Sequence, residues 1–504
     1  MSSELQGSPD EELAATFAAP RRLHVAAAAT SAVLALRGLA LPLIAVAFVG
    51  GSGGGLGRAV TFALVGALFS LALGVVTWQA TSYALVSGAL RFRSGVLSPD
   101  DTVIPVGRIQ AIDTVQGPLQ RLFGAVELHV QTPGGGADGE IVLAAVSPAD
   151  ARALRAALGH AEPAASGPRR RLGTGALLLA ALTAPQFGVV LPIVGAAFAG
   201  ADDLFGDLFT DGLFDRVGEP AELAVVLAAL LGATFVISFS AAVVTFAGFE
   251  VERDGDRLRI RRGLLQRRAA SVPVARIDGV AVIEGLLRAP FGLATVRLET
   301  AGYRSEQAAA KTLFPLVRTR DVPALMAELV PGLDGRQPAL ERPPARALRR
   351  YVAAPALAGG VVGGAAALAI VAAGGGAPAW LVAPGGAGAG ALHGLLAFRA
   401  AGLQLAGDRF VLRARRGTAR VTLLARRRRL QEVSVRRSPL QHRAGLATFA
   451  VALGSGRRGR VEHLAAERAD AAQAALRWQT GPPPPRRTAR GEAAAWPGAP
   501  GDAV

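Results

Sequence analysis

Six apolar stretches, each long enough to cross a bilayer as a helix, recur along this chain in three closely spaced pairs. They run 24–49, 59–87, 173–200, 221–248, 351–373 and 378–398, and the rest of the chain must be arranged around them. The first pair is joined by Gly51-Ser52-Gly53-Gly54-Gly55 and the third by Gly374-Gly375-Gly376-Ala377-Pro378. A buried helix of a soluble core can be equally apolar, but six at paired spacing point to a membrane. Composition agrees. Hydrophobic residues make up 51% and charged residues 18%, and the mean hydropathy is +0.37, too apolar for an ordinary soluble chain. The formal net charge is nevertheless +16, which fits spans with the charges set between them.

The placement of those charges predicts orientation. Arg21-Arg22, Arg169-Arg170-Arg171 and Arg342, Arg346, Arg349 and Arg350 precede the first, third and fifth spans. The loop between the third and fourth carries Asp202, Asp203, Asp207, Asp211, Asp215 and Glu219 against Arg216. The positive-inside rule puts both termini and the long connections in the cytoplasm, and the short Gly-rich and acidic loops outside. The acidic start (Glu4, Asp10, Glu11, Glu12) lacks the basic region of a signal peptide, so the first span is expected to be retained. The absence of cysteine excludes disulfides, thiolate nucleophiles and Cys-ligated metals.

The segments after the pairs repeat one another. Arg91-Phe92-Arg93-Ser94-Gly95, Arg259-Ile260-Arg261-Arg262-Gly263 and Arg413-Ala414-Arg415-Arg416-Gly417 each read Arg-x-Arg-x-Gly, a strand ending at a turn glycine. Arg108-Ile109 and Arg276-Ile277 follow thirteen residues after the glycine, and Arg429-Leu430 twelve. Sixteen residues after each arginine stands another glycine: Gly124, Gly292 and Gly445. The approaches read Pro118-Leu119-Gln120-Arg121-Leu122-Phe123, Leu286-Leu287-Arg288-Ala289-Pro290-Phe291 and Pro439-Leu440-Gln441-His442-Arg443-Ala444. The three glycines are expected in turns, and Phe123 and Phe291 in the core. Each copy closes on a helical signal: Ser147-Pro148 as cap with Leu154 and Leu158 on one face, Pro323 with Leu325 and Leu329, and the run Ala465 to Trp478.

These motifs, with Val272-Pro273-Val274-Ala275-Arg276-Ile277 in the second copy, resemble the bacterial pleckstrin-homology (PH) domains of the YdbS/YdbT type. The resemblance is most detailed over Val103 to Gly124 and loosest in the third copy, where Arg426-Arg427-Arg428-Arg429 stands in place of the usual strand and Ala444 replaces the phenylalanine. It implies an α+β membrane protein of six transmembrane helices in three hairpins, each followed by a small PH-like β-barrel or sandwich with a C-terminal helix. The expected division is a polar tail (1–22), helix pair 1 (23–87) and PH-like domain 1 (88–160). Pair 2 (172–248), domain 2 (249–333), pair 3 (350–398) and domain 3 (399–479) follow, then a disordered tail rich in Pro, Arg and Ala (480–504). The location it implies is the bacterial cytoplasmic membrane.

The candidate contacts for anionic lipid or a partner are Arg91, Arg93, Arg108, Arg121, Arg259, Arg261, Arg276, Arg426, Arg427, Arg428 and Arg429. A basic residue near an anionic leaflet contributes about 1 kcal/mol. The bland alternative for Arg108, Arg276 and Arg429 is a pairing inside the domain, on a half-buried strand. Arg37 and His393 fall within spans, where ionisable groups are costly. No catalytic, metal-binding or cofactor-binding constellation is visible: the six histidines are dispersed and no Gly-rich run completes a phosphate loop.

The expected function is therefore non-enzymatic: a multi-pass scaffold presenting cytoplasmic PH-like domains to the anionic inner leaflet, to a membrane-protein partner or to itself. Envelope maintenance or stress tolerance is its expected setting. A transporter or export accessory built on the six-helix bundle is the competing reading. Nucleic-acid binding by Arg426–Arg429 is disfavoured, since stacking aromatics are scarce around it.

Overall fold

The computed structural model describes residues 17–33, 36, 55–96, 98–109, 111–132, 140–159, 167–183, 220–300, 312–333, 339–372 and 379–477. Arg37, the acidic loop, the Gly-rich connections and the tail from 478 lie outside the described residues. Within them the chain builds one two-sheet unit three times.

In the first copy, β1 (Arg21–Arg22), β2 (Ser82–Val86), β3 (Ala89–Ser94) and β4 (Asp100–Pro105) form an antiparallel sheet in that order. β5 (Ala111–Gln116), β6 (Val126–Gln131) and β7 (Glu140–Val146) form the facing one. Alternate residues point inward, so Leu90, Ile104, Ile112, Leu128 and Leu143 pack into a single core. The helix Pro148–Ala157 closes it with Leu154, and Leu158 follows into the same core. Ser147 caps that helix by accepting the Asp150 N–H at 3.0 Å, with proline at the first position as the sequence predicts.

The second copy has β8 (Arg169–Arg171), β9 (Glu250–Asp254), β10 (Arg257–Arg262) and β11 (Arg267–Pro273). Its facing strands are β12 (Ile277–Glu284), β13 (Leu293–Thr300) and β14 (Thr312–Arg318), closed by the helix Val322–Leu329. The third has β15 (Gly402–Ala406), β16 (Arg409–Arg416) and β17 (Ala419–Arg426). β18 (Leu430–Arg436), β19 (Leu446–Leu453) and β20 (Arg458–Ala465) face them under the helix Ala466–Arg477.

Three details differ from the sequence reading. Arg108, Arg276 and Arg429 lie on 3₁₀ turns, Val106–Arg108, Val274–Arg276 and Arg427–Arg429, rather than on half-buried strands. The buried residue is the one that follows: Ile109, Ile277 and Leu430. Arg426–Arg429 therefore replaces no strand, since it ends β17 and makes the same turn as its counterparts. Phe123 and Phe291 are 43% and 74% exposed, not core. Each ends a short helix before a left-handed glycine (φ 62° at Gly124, 61° at Gly292), and that reversal sends the next residue, Ala125 or Leu293, inward.

The domains also begin earlier than expected. β1 pairs with β2 through Arg21↔Tyr83, and β8 with β9 through Arg171↔Glu250, so the first strand of each sheet precedes the helix pair. In the third copy it shrinks to one bridge, Glu341↔Leu403. The second span accordingly stops at Ala80, and Ser82–Val86 is strand. An ion pair ties each pre-helix segment to its closing helix: Arg21–Asp150 at 2.9 Å and Arg170–Glu328 at 2.6 Å, then Glu341–Arg468 at 3.8 Å with the signs exchanged.

Successive domains share sheets. β5 pairs with β11, giving a seven-stranded sheet, and β12 with β17, giving a six-stranded one.

Among the described residues two helices, Ala345–Ala372 and Ala379–Ala400, are long and apolar enough to cross a membrane, where the sequence suggested six. Shorter apolar runs, Leu64–Ala80 and Leu231–Phe246, fall in the second and fourth spans, and only the first turns of the third, Thr174–Leu182, are described. The third pair packs on glycine. A β-carbon on Gly386, Gly390 or Gly394 would stand 2.3, 2.0 and 2.0 Å from the carbonyls of Gly359, Pro355 and Tyr351. Leu357, Val361 and Leu368 meanwhile face outward, more than 70% exposed. Glycine inside and leucine outside inverts a soluble hairpin and suits an apolar surrounding.

Candidate functional site: a basic cleft at the base of the third helix pair

Where the third helix pair meets the third sandwich, the small side chains of Ala354, Pro355, Ala358 and Ala397 leave a cavity of about 930 Å³. Arg415 and Arg416 enter it from the end of β16, Arg436 from β18, Arg458 and Arg460 from β20, and Arg350 from the helix. Glu432 and Glu462 are the carboxylates on its wall. Arg460 reaches Glu462 at 3.1 Å, while Arg416 and Arg415 donate to the carbonyls of Arg458 (2.6 Å) and Thr418 (2.8 Å).

Six arginines line the cleft against two carboxylates, so positive charge is in surplus there. Burial, then Arg457 and Arg460, hold the Arg416 guanidinium below its usual range. Burial and then Arg420 do the same to Arg415, whose Nε is buried without a hydrogen-bond partner. An anion in this cleft would relieve both effects, because guanidinium groups bind phosphate and carboxylate oxygens by charge-assisted hydrogen bonds.

One wall is locked by polar contacts. The Tyr351 hydroxyl donates to the Glu462 carbonyl at 2.6 Å, and its ring meets His463 edge-on at 5.2 Å. His463 adopts φ 54° and accepts the Gln441 amide at Nδ1 (3.0 Å). Burial lowers its pKa, so the ring is neutral and can accept. His393 also lines the cleft.

A second basic cavity, about 510 Å³, lies at the junction of the first and second domains beside Ala247 and Gly248, just past the end of the helix Pro220–Phe246. Arg121 of the first domain and Arg261, Arg262, Arg267 and Arg268 of the second line it with Glu250. Arg121 donates to the Leu264 carbonyl at 3.0 Å. Burial, then Arg268, push the Arg262 guanidinium down to about 10. Arg261-Arg262-Gly263 and Arg415-Arg416-Gly417 are the same position of the repeat, so both cavities use one motif at the base of a helix pair.

The other predicted contacts are placed differently. Arg259 pairs with Asp254 at 3.0 Å and is largely buried, and Arg91 makes a two-pronged pair with Asp101. Arg93 and Arg108 are exposed and Arg276 half-buried. Arg426 packs against Gly332, Arg427 buries its Nε, and Arg428 lies 3.9 Å from Asp408. Arg429 donates to the Ala275 carbonyl and lies 3.7 Å from Asp278, fastening the third domain to the second. None of these four lines the large cleft. None of its arginines is among the predicted contacts, although Arg415 and Arg416 sit in the repeated motif and Arg458 and Arg460 alternate along one strand.

The sequence model of the Bacterial PH domain family matches three times, over residues 31–162, 188–332 and 336–480. The chain is 25% identical over 314 residues to the transmembrane protein YdbT of Bacillus subtilis (strain 168), covering 56% of this chain and 63% of that relative. The match thus spans less than two thirds of the relative's length. No solved structure matches.

Proposed function

Because the chain belongs to the bacterial PH domain family, with three copies on helix pairs, we propose that it is a non-enzymatic multi-pass membrane protein that holds anionic lipid headgroups at the bases of those pairs. The observation that carries this is the cleft where Arg350, Arg415, Arg416, Arg436, Arg458 and Arg460 converge at the membrane-proximal end of the sandwich. Six spans with both termini in the cytoplasm accord with the sheet pairing. The segments on either side of each pair of spans pair with one another (β1 with β2, β8 with β9, Glu341 with Leu403), so both ends of a pair face one side, and the arginines there favour the cytoplasm.

Native mass spectrometry of the full chain released from detergent tests this. The wild type is expected to retain an anionic phospholipid, and the double variant Arg416→Gln with Arg460→Gln to lose most of it. At about 1 kcal/mol per basic residue, each replacement weakens retention by about fivefold. Unchanged retention would sink the reading.

A further inference from the structure

The sheets shared between domains obey one rule. At the first junction Arg267 of β11 lies opposite Gln116 of β5, and at the second Arg420 of β17 lies opposite Glu284 of β12. Counted from the repeat arginine of each copy (Arg108, Arg276, Arg429), both pairings set the residue nine before it against the residue eight after it in the preceding copy. Two junctions with different side chains share one register.

The rule leaves two edges unfilled. Among the described residues β4 of the first domain pairs with β3 alone, and β18 of the third with β19 alone. β4 is the counterpart of β11 and β17, while β18 is the counterpart of β5 and β12. The same offset sets Arg436 opposite Asp100, Val435 opposite Asp101 and Ser434 opposite Thr102. Asp100 and Arg436 are both exposed.

Charge supports this match. Across the second junction the arginine is on β17 and the acid on β12. At the free edges the signs are exchanged: β4 opens with Asp100-Asp101, and β18 runs out into Arg436-Arg437. A β18 edge meeting a strand of the β11 type would set its arginines near Arg267 and Arg268, whereas β4 offers the complementary pair. Uncovered strand edges are otherwise a liability that folded proteins avoid.

We propose that copies of this chain associate head to tail, β18 of one adding to the β4 edge of the next and repeating between molecules the junction that joins domains within one. The interface is heterologous, so it propagates as a row or closes as a ring. It requires all sandwiches on one side of the membrane, but not lipid in the basic cleft.

The chain has no cysteine, so introduced thiols report cleanly. Opposed residues of an antiparallel pair have Cα atoms about 4.5–5.5 Å apart, within reach of a disulfide. The full-length double variant Thr102→Cys with Ser434→Cys, oxidised in native membranes, is expected to give a ladder of oligomers that collapses on reduction. Each single variant gives no crosslinked band on a non-reducing gel, and two differently tagged single variants co-expressed give one crosslinked heterodimer. Absence of both ladder and heterodimer overturns the proposal. So does a homodimer from Ser434→Cys alone, which would mean that β18 pairs with itself. A second measurement needs no disulfide: Arg436→Asp is expected to reduce wild-type oligomers in mild detergent at least tenfold, and adding Asp100→Arg to restore them. A wild type that is monomeric at micromolar concentration refutes the assembly.

Discussion

Arg420 of the third domain donates its Nε–H to Glu284 of the second at 2.9 Å and a further bond to the other carboxylate oxygen, and the glutamate side chain is wholly buried. The seam between two domains thus closes over a carboxylate that has lost its water. Removing one partner of a buried pair costs about 3–5 kcal/mol, far more than an exposed pair contributes. Because Arg420 keeps partial access to solvent, Arg420→Ala is expected to destabilise the full chain by about 2–4 kcal/mol. Arg420→Ala with Glu284→Gln should recover much of that loss in thermal unfolding.

Acidification should loosen the third domain through His463. Its pKa is lowered by burial first, with Arg350 acting in the same direction and Glu462 opposing. The native state therefore favours the neutral ring, and the stability it contributes is complete above about pH 6.5. That stability is lost as pH falls through the lowered native value. His463→Asn, which tolerates the left-handed backbone, is expected to lose less melting temperature than wild type between pH 7.5 and 5.5.

The glycine seam of the third helix pair separates two neighbouring positions. A β-carbon on Gly390 would meet the Pro355 carbonyl at 2.0 Å, whereas one on Gly388 meets nothing within 4 Å. Gly390→Val is expected to cost about 1–3 kcal/mol or force the helices apart, and Gly388→Ala to be silent. Protease resistance of the full chain in detergent distinguishes them.

Ser147→Ala removes the cap of the helix that closes the first domain. A loss of about 1 kcal/mol in thermal unfolding is expected, confined to the first domain in hydrogen exchange.

The parts of this fold legible in the sequence were those written locally. Gly124, Gly292 and Gly445 announce left-handed turns because other residues resist that conformation, and Ser147-Pro148 announces a helix start. The edge strands β1 and β8 were invisible for the opposite reason. Two or three consecutive arginines show no alternation, and only strands some 60–80 residues later define them as edges. Arg429 illustrates the limit at the candidate site. Its spacing identified it as a repeat position, but its partners, Ala275 and Asp278, belong to another copy. Arg350, Arg436 and Arg460 converge through tertiary packing that no local pattern records.

Threading each hairpin between the first and second strands of its own sheet also sets a timetable. β8 is synthesised long before β9, and the intervening chain must be placed before Arg171 can find Glu250. A sandwich built this way cannot be finished ahead of its helices, and such long-range closure is slow. Since β11 then adds to β5 and β17 to β12, each finished domain offers the template edge for the next. Completion of the sheet array therefore depends on each earlier step: an unplaced hairpin leaves its own domain unsealed and every later seam without a foundation.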